Sequence, residues 1–316
     1  CFGIHANRFT TMTWCSLCLS APPRISIAPI SKPLKRSFKT RFLDLFRRIF
    51  RIRCLEACLA QLADGRPIGH VICKMIPAHY LYPAPSIRIH IRDGLRLKLD
   101  ISDYIDHGLF FGFRGDEDES YRNLMKLVEP HYNCIDVGTK NGYVSLRMAC
   151  LAYKGRTLGF EPDPVNYRQS IDNLELNSAN NLSIQNTGLG DRRIEGTMEV
   201  RVATNRGGNR IANGAAEGVS VRIERLDDIL KSIGCGPVNL IKIDVEGYEL
   251  KVLRGAESIL RDWKPILFIE VDDANLSHQG DSASAMVLFL NELGYDDLKH
   301  AETGEDLSAK SSYVNR

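Results

Sequence analysis

The 316-residue chain is 44% hydrophobic and 25% charged, with a formal net charge of +2. These values exclude collagen, coiled coil and wholesale disorder, and no apolar run reaches the ~18 residues a spanning helix needs. The charge is lopsided: residues 1–53 hold 11 Lys and Arg against Asp44 alone, which leaves the rest net acidic and argues against a nucleic-acid face, since that requires a basic stripe.

Residues 1–11 are assigned no fold. The chain begins at Cys1, ahead of the first methionine, Met12, and the apolar patch at 14–21 is too short and polar for a signal core. Nine cysteines, an odd number without a compact framework, suit free thiols in a reducing, cytoplasmic compartment. Cys15 and Cys18 lack the second ligand pair of a zinc site.

Over 37–53 the residues Phe38, Phe42, Leu45, Phe46, Ile49 and Phe50 recur at helical spacing between Lys39, Arg41, Arg47, Arg48, Arg51 and Arg53. This predicts a basic amphipathic helix, docked either on the chain's own acidic body or, peripherally, on an anionic membrane. The period then becomes two: Ile87, Ile89 and Ile91, an Asp93-Gly94 turn, and Leu95, Leu97 and Leu99 predict a β-hairpin. A helix follows over 117–128, with Tyr121, Leu124, Met125 and Val128 on one face. Strands at 133–137, 156–160, 182–187, 238–244 and 265–271 then alternate with helices at 142–152, 164–176, 248–260 and 283–293. Such alternation calls for a mostly parallel sheet covered on both faces. The Gly/Asn-rich stretch 205–218 reads as a flexible loop that could act as a lid. The expected organisation is a basic extension over 1–60, a hairpin and helix subdomain over 61–130, and a cofactor-binding domain over 131–316.

Three motifs carry chemistry. The run Cys134 to Tyr143 is a strand entering a Gly-containing turn and a helix, where Gly138 and Gly142 allow close backbone approach. Asp136 at the strand end would repel a pyrophosphate and attract the ammonium of an amino-acid moiety, such as S-adenosylmethionine carries. Glu161 in Glu161-Pro162-Asp163-Pro164 ends the next strand, where an acid accepts hydrogen bonds from ribose hydroxyls. In the third, Lys242, Asp244 and Glu246 surround the end of an Ile- and Val-rich strand, where a carboxylate can align a hydroxyl or take its proton. Glu270 ends the following strand, and His278, eight residues on in a polar loop, is a candidate general base. No metal is assigned; Asp244, Glu246 and Glu270 are also the carboxylates a divalent ion would use, and spacing alone does not separate base from ligand.

Taken with the Asn173 and Asn177 pair and the run Phe268 to Val271, the ordered set resembles the FkbM family of S-adenosylmethionine-dependent methyltransferases over residues 85–295. The resemblance implies a class I, Rossmann-like α/β fold with a mostly parallel seven-stranded sheet, one strand antiparallel, and helices on both faces, behind the hairpin and basic helix. It implies O-methylation of a hydroxyl on a small metabolite, sugar or glycan. By position, Asp136, Gly138, Thr139, Asn141 and Gly142 form the loop at the methionine end, Glu161 and Pro162 the ribose site, and Asp191 the adenine neighbourhood. Thr139 and Lys140 stand where the family commonly reads Ala-Asn. A noncatalytic cofactor- or membrane-binding module is the alternative; a nicotinamide oxidoreductase using Tyr295 and Lys299 is opposed by Asp136.

Overall fold

The computed structural model describes residues 38–63, 74–112, 116–199, 206–212 and 218–301. Helices α1 (Phe38–Arg47) and α2 (Arg53–Ala63) precede the hairpin of β1 (Ile87–Arg92) and β2 (Leu95–Asp100), and α3 (Tyr104–Phe111) and α4 (Asp116–Lys126) follow it. The hairpin register pairs Arg88 with Leu99, His90 with Leu97 and Arg92 with Leu95. Directly opposed residues share a face, so the leucines pack inward beside Arg88, His90 and Arg92, while Ile87, Ile89 and Ile91 are exposed.

The central sheet contains β3 (Cys134–Val137), β4 (Thr157–Phe160), β5 (Leu182–Gln185), β10 (Leu240–Ile243) and β11 (Ile266–Ile269). Its order is β11-β10-β3-β4-β5, and all four pairings are parallel. Among the described residues the sheet therefore has five parallel strands, not the expected seven with one antiparallel; the late strand candidate at 311–314 lies outside them. Four residues in a row are buried in both β3 and β10, as a parallel strand covered on both faces requires. The chain runs outward through β3, β4 and β5, then returns to place β10 on the other side of β3. That reversal is the point where such sheets bind ligands.

The flanking helices are α5 (Tyr143–Leu151), α6 (Pro164–Glu175), α7 (Leu226–Ile233), α8 (Glu249–Gly255), α9 (Glu257–Trp263), α10 (Asp273–His278) and α11 (Ala283–Glu292). Asp163 caps α6 by accepting from Val165 N and Asn166 N, with Pro164 in the first turn. The single helix expected over 248–260 is broken at Ala256. There Gly255 approaches the Gly190 carbonyl so closely that a Cβ would lie 1.9 Å from it.

A second sheet, ordered β6-β9-β7-β8, comprises β6 (Gly188–Leu189), β7 (Ile194–Glu199), β8 (Arg210–Ile211) and β9 (Val219–Glu224). The stretch read as a flexible loop thus contributes a paired strand over part of its length.

Asn173 and Asn177 attach the hairpin to this body. Asn173 Oδ1 accepts from Lys98 N at 2.6 Å and Asn177 Oδ1 from Arg96 N at 2.8 Å, while Asn177 Nδ2 donates to Arg96 O at 2.7 Å. One helix turn apart, the two amides act as a substitute neighbour for β2.

Candidate active site

A cleft opens at the carboxyl ends of β3, β4 and β10, with Gly138, Lys140, Glu161, Pro162, Asp244 and Glu246 in its wall. Leu189, Met198, Ile211 and Tyr248 form an apolar side. Gly207 and Asn209, from the stretch expected to be a lid, also line it, and Asn209 Nδ2 donates to Asp163 Oδ2 at 2.8 Å.

Gly138 has φ +83°, and a Cβ there would lie 2.1 Å from the Asp244 carbonyl oxygen. The turn after β3 can therefore press against the turn after β10 only with glycine at this position. Lys140, also left-handed at φ +52°, donates its backbone N–H to Glu161 Oε2 at 2.8 Å. Glu161 Oε1 accepts from Asp163 N at 3.0 Å. Each oxygen keeps a further lone pair toward the cavity, and burial pushes this carboxyl up to about 7.

Opposite Glu161 is a charged cluster. Lys140 Nζ donates to Asp244 Oδ2 at 3.1 Å and lies 4.0 Å from Glu246 Oε1. Tyr121 OH donates to Asp244 Oδ2 at 3.2 Å. Lys242 Nζ lies 3.6 Å from Asp244 Oδ2 and 3.0 Å from Asp136 Oδ1, and it donates to the Gly138 carbonyl at 2.9 Å. Burial disfavours the Asp244 charge, but Lys140 and Lys242 outweigh it and hold this carboxyl well below the usual range. The Asp244 charge, and after it burial, pushes the Glu270 carboxyl upward. Asp244, Glu246 and Glu270 offer oxygens within 4.8 Å of one another, and the cation facing them is the Lys140 ammonium.

The fold separates the other expected residues from the cavity. Asp136 is fully buried, and the β3–β10 register makes it the cross-strand partner of Lys242. Its carboxylate is engaged by that lysine and by the Ser145 hydroxyl, so it does not line the cavity as an ammonium site would. Lys242 is likewise interior, at 2% exposure. Thr139 is buried, and Asn141 Nδ2 donates to Asp106 Oδ1 at 2.7 Å, tying the loop to α3. Gly142, with φ +82°, adjoins Ser170 of α6. Asp191 is away from the wall, its carbonyl accepting from Arg225. His278 is exposed in the last turn of α10, and the Tyr295 hydroxyl donates to the Pro265 carbonyl at 3.1 Å, so neither reaches the cavity.

Two contributors carried no clear sequence signal. Tyr121 was counted on an apolar helix face. Glu249, at 2% exposure, braces the turn after β10: Oε1 accepts from Val245 N at 3.2 Å and Gly247 N at 3.0 Å. Gly247 has φ +103°, and a Cβ there would lie 2.4 Å from the Asn275 carbonyl oxygen. A carboxylate three residues beyond Asp244–Glu246 was the available hint.

A doubly wound α/β protein with a cleft at its strand reversal, and acids on either side of that reversal, is thereby defined. The chain belongs to the FkbM methyltransferase family: the family model described as "Methyltransferase FkbM domain" matches residues 136–296. Methyltransferase sdnD of Sordaria araneosa is 27% identical over 172 residues, covering 42% of this chain and 66% of the relative. Methyltransferase 1 of Beauveria bassiana is 28% identical over 176 residues, covering 49% and 68%. The chain thus spans about two thirds of the length of these curated relatives. A crystal structure of methyltransferase FkbM from Methylobacillus flagellatus KT aligns at 19% identity and a TM-score of 0.33, over 72% of this chain and 50% of that one.

Proposed function

We propose that the protein is an S-adenosylmethionine-dependent methyltransferase that methylates a hydroxyl on a small metabolite, sugar or glycan by direct in-line transfer. The observation that carries this reading is that Glu161 and Asp244 line one cavity from strands on opposite sides of β3. Glu161 accepts from the ribose hydroxyls, with Pro162 beside it, and the apolar side formed by Leu189, Met198 and Ile211 receives the base. The cofactor supplies an electrophilic sulfonium methyl, so the chain's task is binding and alignment. Asp244, held ionised by its two lysines, is a weak base and serves best by accepting the acceptor hydroxyl's hydrogen bond. Glu246, which lines the cavity and accepts from Asn275 Nδ2 at 3.0 Å, is the candidate for taking the proton. The odd number of cysteines without a compact framework supports a reducing, cytoplasmic setting.

Calorimetric titration with S-adenosylhomocysteine tests the cofactor, with NADH as comparison. Micromolar binding that Glu161→Ala weakens and NADH does not reproduce is expected; labelled-methyl transfer to hydroxylated acceptors then tests the reaction. Absence of binding overturns the reading. A noncatalytic binding module is the second reading, favoured by the Lys140 ammonium seated on Asp244; cofactor binding without transfer to any acceptor class selects it.

A further inference from the structure

The stripe formed by Phe42 (71% exposed), Leu45 (64%), Phe46 (48%), Ile49 (54%) and Ile52 (56%) faces outward. Isolated exposed apolar residues are ordinary, but a contiguous stripe marks an interaction surface. Asp44, the sole acid of residues 1–53, is turned the other way: it is buried and accepts from Tyr80 OH at 3.3 Å. A surface helix of a soluble protein hides its apolar stripe; α1 and the turn after it expose theirs and turn Asp44 inward.

This orientation is fixed by the body. Arg47 Nε donates to the Lys74 carbonyl at 2.8 Å. In α2, Leu59 and Ala60 pack with Leu95, Leu97 and Leu99, and Glu56 accepts from Arg88 Nη2 at 3.0 Å. Arg48 and Arg53 are exposed beside the stripe, so its rim is cationic and the single nearby carboxylate is withdrawn.

We propose that residues 42–53 form a docking surface for an anionic lipid bilayer, with Phe42, Leu45, Phe46 and Ile49 in the acyl boundary and Arg48 and Arg53 at the headgroups. Charge complementarity selects this occupant: an apolar stripe rimmed by arginine, with no exposed acid from 42 to 53, matches a negatively charged apolar boundary. The surface is independent of the methyl-transfer reading.

The test is sedimentation of the full chain with phosphatidylserine-containing and pure phosphatidylcholine vesicles at low and high salt. Binding is expected to the former, weakened by salt. Phe42→Asp with Phe46→Asp should weaken it about tenfold or more, and Arg48→Gln with Arg53→Gln about thirtyfold, given roughly 1 kcal/mol per basic residue. These four side chains are exposed or partly so, and unchanged thermal unfolding confirms that each variant folds. Absence of vesicle binding, binding indifferent to lipid charge, or binding unaffected by Phe42→Asp with Phe46→Asp overturns the proposal. So does concentration-dependent self-association abolished by the Phe variants without vesicle binding, which would assign the stripe to a second copy.

Discussion

Lys140 Nζ lies 3.1 Å from Asp244 Oδ2 and 3.3 Å from Oδ1, so the turn after β3 grips with its side chain the carboxylate that follows β10. The same lysine uses its backbone N–H to hold Glu161. One residue thus connects the two acids that face each other across the cavity.

Lys140→Met should therefore raise the Asp244 carboxyl toward its ordinary value. A carboxyl held below its unfolded value contributes stability that is present above that value and is lost as pH falls through the folded one. With Lys140 gone the loss still begins near the unfolded value but is smaller and is complete at a higher pH, and the acid limb of the activity profile moves upward. At neutral pH the variant should lose about 1–3 kcal/mol, because Lys242 still pairs with Asp244. Urea unfolding at neutral and acid pH, with a pH–rate profile, checks both. An unmoved acid limb would show that Lys140 does not set the Asp244 charge.

Tyr121→Phe removes one hydroxyl from Asp244 and leaves both lysines. If Asp244 aligns the acceptor, the turnover rate should fall while S-adenosylhomocysteine affinity is retained. Asp244→Asn removes the charge that aligns the acceptor hydroxyl and should cost about 10²-fold in rate. Equal activity of wild type and Asp244→Asn would sink the assignment of Asp244.

The strands of the central sheet could be read from sequence to within a few residues, because each is a local pattern, whereas β9 and the helices α3 and α7 were not read. Pairings across the sheet could not. Asp136 and Lys242 are separated by more than a hundred residues, and only the β3–β10 register makes them partners, so a carboxylate that looked like a ligand site is an interior ion pair. The amphipathic pattern over 37–53 likewise predicted a helix without saying which face turns inward; that depends on Asp44 meeting Tyr80. In β1, alternation alone left two choices of face, and the register with β2 selected the one that exposes the isoleucines.

Asn173 and Asn177 separate by burial. Asn173 is fully buried, accepts from Lys98 N and donates to the Asn141 carbonyl at 2.8 Å. Asn173→Ala leaves buried backbone groups without partners and should cost about 2–3 kcal/mol. The Asn177 bonds to Arg96 are exposed to solvent, where water replaces them, so Asn177→Ala should cost about 1 kcal/mol or less. Denaturant midpoints at constant slope compare the two; equal losses would mean that burial does not govern this attachment.

Glu249 gives the least intuitive outcome. Its Oε2 is buried without a hydrogen-bond partner, while Oε1 takes the two backbone N–H groups of the turn after β10. Burial pushes the carboxyl up to about 7, so the folded protein binds a proton here more tightly than the unfolded chain does. Stability then falls as pH rises from the ordinary carboxyl value to about 7, and stays at the lower level above it. A difference of that size corresponds to about 3 kcal/mol, an order-of-magnitude figure. Glu249→Gln keeps the Oε1 acceptor and resembles the protonated form. It should match the wild type near pH 5 and exceed it in stability near pH 8, with a flatter dependence between. Thermal unfolding of both proteins across that range decides the matter: a variant less stable than wild type near pH 8 would mean that the turn requires the Glu249 charge.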